Sequence, residues 1–195
     1  MATTHEVGFQ SPGSERLARV GKGTGRVDMA LAAIFLFCAA AVAAALVSQH
    51  QFGMDPCPWC VLQRAIFCAI GIAALIGLAW RRPAGRRVGA GLSLLLALAG
   101  IAAALWQHFV AASSQSCTQT LADKIMNATK LPTLLPEVFE ARATCADAAV
   151  SLFGVSYDFW SLAGFVLVVV LAVVALSAVR RRATATYAPA RREPT

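Results

Sequence analysis

Trp80-Arg81-Arg82-Pro83-Ala84-Gly85-Arg86-Arg87 is a short basic turn between two apolar runs. Residues 61–80 before it carry charge only at Arg64, and residues 88–106 after it carry none. Pro83 cannot continue a helix interior, and Gly85 supplies a flexible reversal, so the runs read as two helices that turn back on each other. Each has about twenty residues, or roughly 30 Å of helix, enough to cross a bilayer.

Outward from this hairpin the pattern repeats. Met29 to Ser48 is uncharged, and Trp160 to Val179 is a fourth apolar run that ends on Arg180-Arg181-Arg182. A cleaved secretory signal, with Ala43-Ala44-Ala45 as its cleavage site, competes for the first run. That run is longer than the roughly 7–15-residue core of a signal, so a retained span is the better reading. The predicted fold class is an all-α membrane protein, a four-transmembrane-helix bundle with spans at 29–48, 61–80, 88–106 and 160–179. Residues 28–182 form the membrane domain, and 1–27 and 183–195 read as flexible cytosolic tails.

Composition agrees: 58% of the residues are hydrophobic and only 14% charged. A net charge of +7 raises the question of nucleic acid, but the placement of the basic residues answers it. Of 17 Lys and Arg, four lie in 1–28, four in 81–87 and five in 180–192. Loop 49–60 carries none, and 107–159 carries Lys124, Lys130 and Arg142 against Asp123, Glu137, Glu140, Asp147 and Asp158. This asymmetry orients the chain with both termini and the 81–87 turn in the cytoplasm and the two longer loops outside, and no nucleic-acid partner is expected. Trp80, Trp106 and Trp160 fall at span ends, where indole favours the interface.

Two spans leave the membrane on similar pairs, Gln49-His50 and Gln107-His108. Within the long loop, Leu121, Ile125 and Ala128 recur at helical spacing, and Pro136 is placed to open a short helix through Ala141. These segments suit either the membrane surface or packing within the loop.

The cysteines sort by side. Cys57, Cys60, Cys117 and Cys145 lie in or beside the outer loops, whereas Cys38 and Cys68 lie inside spans and read as packing. Four outer cysteines are enough for two structural disulfides. A bridge between residues as close as Cys57 and Cys60 removes little unfolded-state entropy, which favours redox exchange for that pair. Metal binding by Cys57, Cys60, His50 and His108, in a small metal carrier, is the alternative. A c-type haem site is excluded because Val61 stands where histidine is needed. Arg64 is costly inside a span. One turn beyond Cys60 it can stabilise a thiolate or an anionic acceptor, or it can snorkel to the interface.

The run from Gln49-His50 through Pro56-Cys57-Pro58-Trp59-Cys60-Val61-Leu62-Gln63-Arg64 resembles the first periplasmic loop of the DsbB family of disulfide bond formation proteins. Leu131-Pro132, Pro136-Glu137-Val138-Phe139, Cys145-Ala146 and Phe153-Gly154 extend the resemblance over about residues 28–180. It implies a multi-pass protein of the bacterial inner membrane with its active cysteines on the periplasmic side. Its partners would be a DsbA-like thioredoxin-fold oxidase and the membrane quinone pool. The implied cofactor is a quinone, ubiquinone ahead of menaquinone, with no metal. By position, Cys60 would deliver electrons to the quinone and Cys57 would be its relay partner. Cys117 and Cys145 would form the second disulfide, with Cys117 attacked by DsbA and Cys145 able to exchange with Cys57. Arg64 matches the family's quinone-site arginine, and His108 matches a histidine near the quinone. Gln63 departs from the glutamate of some members.

Overall fold

The structure is a computed structural model that describes residues 12–80, 82–111, 120–147, 151–152 and 154–187. Four long helices carry the apolar runs: α1 (Pro12–Phe52), α2 (Pro58–Ala79), α3 (Pro83–Trp106) and α7 (Tyr157–Tyr187). Each contains a segment long and apolar enough to span a bilayer. A π-helical turn, Gln107–Ala111, prolongs α3. Three short helices follow, α4 (Leu121–Thr129), α5 (Leu131–Leu134) and α6 (Pro136–Phe139). A two-residue antiparallel pair, β1 (Ser151–Leu152) and β2 (Val155–Ser156), leads into α7.

The long helices pack in cyclic order, α1 on α2, α2 on α3, α3 on α7 and α7 on α1, with α1 and α3 meeting only weakly across the diagonal. This is the up-down bundle expected from four runs joined in sequence. The ends of α2 and α3 follow their sequence. Pro58 opens α2 and Pro83 opens α3, where a missing N–H costs nothing. Helix α1 departs from the expected span, because it begins at Pro12, inside the stretch read as a tail. Once a helix is nucleated, each further residue adds a hydrogen bond at little cost, so a polar segment joined to a span can stay helical.

Inside the bundle, Val27, Leu31, Ile34, Ile70, Phe165 and Val168 are buried together. Cys38 belongs to this core and Cys68 lies at the edge of the cluster around Cys57, both in packing positions. Phe67 and Phe165 stack with centroids 4.1 Å apart, and Gly100 makes room for Phe165: a Cβ there would come within 2.4 Å of its ring. At the far end α2 and α3 touch through glycines, and a Cβ on Gly89 would lie 2.7 Å from the Gly77 Cα. Small residues let helices approach closely where lipid supplies no hydrophobic drive. We therefore expect Gly89→Leu to lower the stability of the detergent-solubilised protein by roughly 1–3 kcal/mol, the scale of overpacking. A thermal melt indistinguishable from the parent's would contradict the close contact.

The expected helices in the long loop form, but α4 presents a different face. Thr120 caps it, accepting from the Asp123 N–H while the Asp123 carboxylate accepts from the Thr120 N–H. Its buried residues are Ala122 and Met126, which join Trp59, Leu62 and Phe139 over the start of α2. Leu121, Ile125 and Ala128 face outward. The spacing rule marks a helix correctly, but it cannot say which of two apolar stripes meets the bundle.

Candidate functional site

The site is built at the start of α2. Cys57 is the helix cap, in extended conformation, and its Sγ accepts from the Cys60 N–H at 3.2 Å. Pro58 at the first helical position sets the turn, which brings the two sulfurs to 2.7 Å. The N–H groups of a helix start are not used up within the helix, and negative charge is favoured there. No acidic side chain stands in the first turn of α2 to oppose it.

The second loop is fastened to this cap. The N–H groups of Arg142 and Ala143 both donate to the Pro56 carbonyl, at 3.0 and 3.3 Å. Thr144 and Asp147 close the next turn, the Thr144 hydroxyl donating to Asp147 at 2.6 Å and accepting from its N–H at 3.2 Å. Cys145 is thereby held against Cys57, which is fully buried. The Cys57 thiol is pushed up because its hydrogen is shared with Cys145 and with Cys60, and because it is buried. The Cys145 thiol is held below the ordinary thiol range by the hydrogen bond from Cys57 and another from the Trp59 backbone, which outweigh burial.

These opposite shifts make Cys145 the more nucleophilic of the pair near neutral pH, since the thiolate is the reactive form. In the fully reduced chain, Cys145 should take up a small alkylating agent at lower pH than Cys57, read by peptide mass spectrometry. A thiolate gains population as pH rises through its pKa, so Cys57→Ala, which removes the hydrogen bond, should move the Cys145 profile to higher pH. An unmoved profile would show that Cys57 does not act on it.

On the inner side Cys60 faces a cavity of about 320 Å³. Its walls come from α1 (Phe37, Ala41, Ser48), α2 (Cys60, Gln63, Arg64, Phe67), the π-turn (Gln107) and α7 (Tyr157, Asp158, Trp160, Gly164). Arg64 is buried and tied to two other elements. Its Nη1 donates to the Gln49 Oε1 at 2.9 Å and to the Val138 carbonyl at 2.5 Å. The Gln49 Nε2 in turn reaches the Glu137 carbonyl at 3.4 Å. Among the described residues the buried Arg64 Nε has no partner. Arg64 is thus no snorkeller: it lies on the cavity wall and also holds α6 over the site.

Of the residues expected from the sequence, the structure gathers Cys57, Cys60, Cys145 and Arg64. Cys117 lies outside the described residues. His108 stands beside the cavity rather than on its wall. Its Nδ1 is 3.5 Å from an oxygen of Asp158, and its ring packs on Phe109 and Phe159. His50 is exposed, and among the described residues no three of His, Cys, Asp and Glu are gathered to hold a metal ion. The four ligands of the metal-carrier alternative are therefore not assembled.

Three buried polar residues were not foreseen: Gln49, Gln107 and Asp158. A signal for two of them was present in the repeated Gln-His pairs at the span ends. In both pairs the glutamine turns inward and the histidine is the more exposed partner, because a neutral amide costs less to bury than an ionisable ring.

A Cys-x-x-Cys at a helix start, its first sulfur buried against a loop cysteine and its second on the wall of a cavity between the long helices, defines a membrane-embedded thiol–disulfide protein. Comparison with known proteins narrows this class. The family model "Disulfide bond formation protein DsbB" matches residues 27–175. A disulfide bond formation protein B of Azoarcus sp. (strain BH72) is 36% identical over 137 residues, covering 68% of this chain and 82% of the relative. One from Aromatoleum aromaticum is 33% identical over 148 residues, covering 74% and 89%. Disulfide bond formation protein B 1 of Pseudomonas savastanoi pv. phaseolicola is 36% identical over 150 residues, covering 75% and 88%. The chain belongs to the DsbB family and is a disulfide-forming membrane oxidoreductase.

Proposed function

We propose that the protein reoxidises a DsbA-like periplasmic dithiol oxidase and passes the electrons to membrane quinone, with Cys57, Cys60, Cys117 and Cys145 as the working sulfurs. The carrying observation is that Cys60 lies on the cavity wall while its neighbour Cys57 touches Cys145 of the outer loop. One continuous sulfur path then joins an aqueous surface to a lipid-level pocket. The charge asymmetry of the chain supports loops on the periplasmic face of the inner membrane.

The cavity suits a quinone, ubiquinone ahead of menaquinone. Its walls are largely apolar, with Gln63, Arg64, Gln107 and Asp158 among the polar groups, and the Arg64 Nε–H, without a partner among the described residues, is a donor in want of an acceptor such as a ring carbonyl. When bound, a quinone supplies a lipid-soluble acceptor of two electrons and two protons.

The chain's own steps are disulfide exchanges. A partner thiolate attacks Cys117 of the Cys117–Cys145 bridge and releases the Cys145 thiolate. Cys145 attacks Cys57, which breaks the Cys57–Cys60 bond and leaves the electron pair on Cys60. The partner's second thiolate frees Cys117 and completes the partner's own disulfide. Arg64 balances negative charge at the Cys60 end of the cavity. Cys117 then displaces Cys57 from Cys145 and restores the Cys117–Cys145 bridge, and the freed Cys57 thiolate bonds to the Cys60 sulfur, an oxidation whose two electrons a bound acceptor would take. Overall two thiols become one disulfide, and two electrons with two protons go to the acceptor. Each exchange replaces one sulfur bond by another, so the direction comes from the acceptor, which must be a better oxidant than the partner's disulfide.

The test is anaerobic mixing of the purified chain with a reduced DsbA-like protein and ubiquinone, following the quinone spectrum. One quinone should be reduced for each partner disulfide formed. Partner oxidation with no spectral change in the quinone would overturn the reading.

A further inference from the structure

We propose that Asp158 is a positioning residue for the Cys60 sulfur and acts on it through the side-chain amide of Gln107. The inference rests on the reading of Cys60 as the sulfur from which electrons leave. It begins with the buried amide of Gln107, every polar atom of which has a partner. The Gln107 Oε1 accepts from the Gln63 Nε2 at 2.7 Å, while its Nε2 donates to the Asp158 Oδ1 and lies 3.3 Å from the Cys60 Sγ.

An amide can be turned over with little change in shape, exchanging its oxygen for its nitrogen. If Gln63 and Gln107 turned over together, the hydrogen bond between them would survive. The Cys60 sulfur would then face a carbonyl oxygen instead of an N–H. Among the described residues it is Asp158 that forbids this, because an ionised carboxylate accepts and cannot donate. It obliges Gln107 to present nitrogen on that side, and the second N–H of the same nitrogen is then aimed at the sulfur. An N–H stabilises negative charge developing on sulfur, whereas a carbonyl oxygen repels it.

The local fold supports the arrangement. Gln107 opens the π-helical turn that ends α3, and such turns re-aim side chains at functional sites. Asp158 lies in the first turn of α7, where the helix dipole favours its charge. The other Asp158 oxygen faces the His108 Nδ1 at 3.5 Å and the Ser156 hydroxyl at 3.4 Å. The other charged or titratable groups around Cys60 are Cys57 and Arg64 on its own helix, Asp55 in the preceding loop, Cys145 in the second loop and Tyr157 on α7. None of these is hydrogen-bonded to the Gln107 amide among the described residues, so none duplicates the anchor.

The sign of one measurement separates this role from a simple charge effect. Asp158→Asn keeps the size of the side chain but can donate as well as accept, so the direction of the amide chain is released. In the reduced full-length protein in detergent, Cys60 alkylation by iodoacetamide is followed against pH, with the site resolved by fragmentation of the peptide containing Cys57 and Cys60. Asp158→Asn should move the Cys60 profile to higher pH by on the order of one unit, the scale of one hydrogen bond to a charged group. Gln107→Leu, which removes the N–H, should move it the same way. Asp158→Asn added to Gln107→Leu should move it no further, as required of residues acting in series.

A direct electrostatic role would do the reverse, because removing a carboxylate near a thiolate moves the profile to lower pH. A shift to lower pH, no shift, or an equal shift in both backgrounds would overturn the proposal. Quinone reduction by Cys60→Ser is measured in parallel. If that variant reduces quinone normally, the role of Cys60 as electron donor fails, while the alkylation series still decides whether Asp158 orients its sulfur.

Discussion

Cys60→Ser is expected to bring quinone reduction to the level seen without protein, a loss of more than about a thousandfold, as when a covalent nucleophile is removed. The hydroxyl takes the place of the thiol with little change in shape. The Cys60 N–H still donates to Cys57, and Gln107 still finds an acceptor. The bundle should therefore melt as the parent does. Exchange in the second loop should also continue until the sulfurs there come to equilibrium with the partner, because Cys145 lies against Cys57, which is retained. The signature is one round of thiol exchange with no sustained turnover, read by quenching with a thiol-blocking mass tag while the quinone spectrum is followed. Full turnover in this variant would sink the sulfur path through the cavity.

Arg64→Ala is expected to have the second largest effect, on two readouts. The guanidinium is buried, its charge lies on the cavity wall, and its Nη1 bonds join Gln49 and the Val138 carbonyl to α2. A hydrogen bond to a charged group contributes roughly 1.5–3 kcal/mol, which corresponds to a rise of about 10- to 150-fold in the apparent KM for quinone. The Val138 carbonyl and Gln49 Oε1 also lose their donor, so α6 should loosen and the 130–143 segment should become a protease target. Arg64→Lys should restore part of the charge effect but not the loop, since a single ammonium does not reproduce the guanidinium fork. Unchanged quinone KM with a loosened loop would leave Arg64 as a strut only. Unchanged loop protection with a raised KM would leave it as a cavity residue only.

Much of this was legible in the residues. Apolar runs of about twenty, broken by Arg81–Arg87, announce four membrane helices, because a bilayer imposes a length and penalises charge within it. Cys57-Pro58-Trp59-Cys60 announces thiol chemistry, because so short a bridge is a poor staple. Arg64 stood out because a lone cation in a span demands a reason. The gaps have physical causes too. Leu121 and Ile125 marked a helix, but the stripe that packs is Ala122 and Met126, and spacing alone does not distinguish two apolar stripes. His108 drew attention for its chemistry, while the neighbouring Gln107 reaches the sulfur.

What the sequence by itself determined is the solvent of each segment and the kind of chemistry: four helices in lipid, four of the six cysteines in or beside the two longer loops, a basic turn at the opposite end. These follow from local properties, the cost of burying charge and the reactivity of sulfur. Only the tertiary structure decided which groups meet. Cys145 touches Cys57, Arg64 reaches Val138 across 74 positions, and Gln107 joins Cys60 to Asp158 of α7. Such partnerships are set by which helix faces adjoin and by a π-turn that re-aims one side chain. These are properties of packed surfaces, and no single stretch of chain contains them.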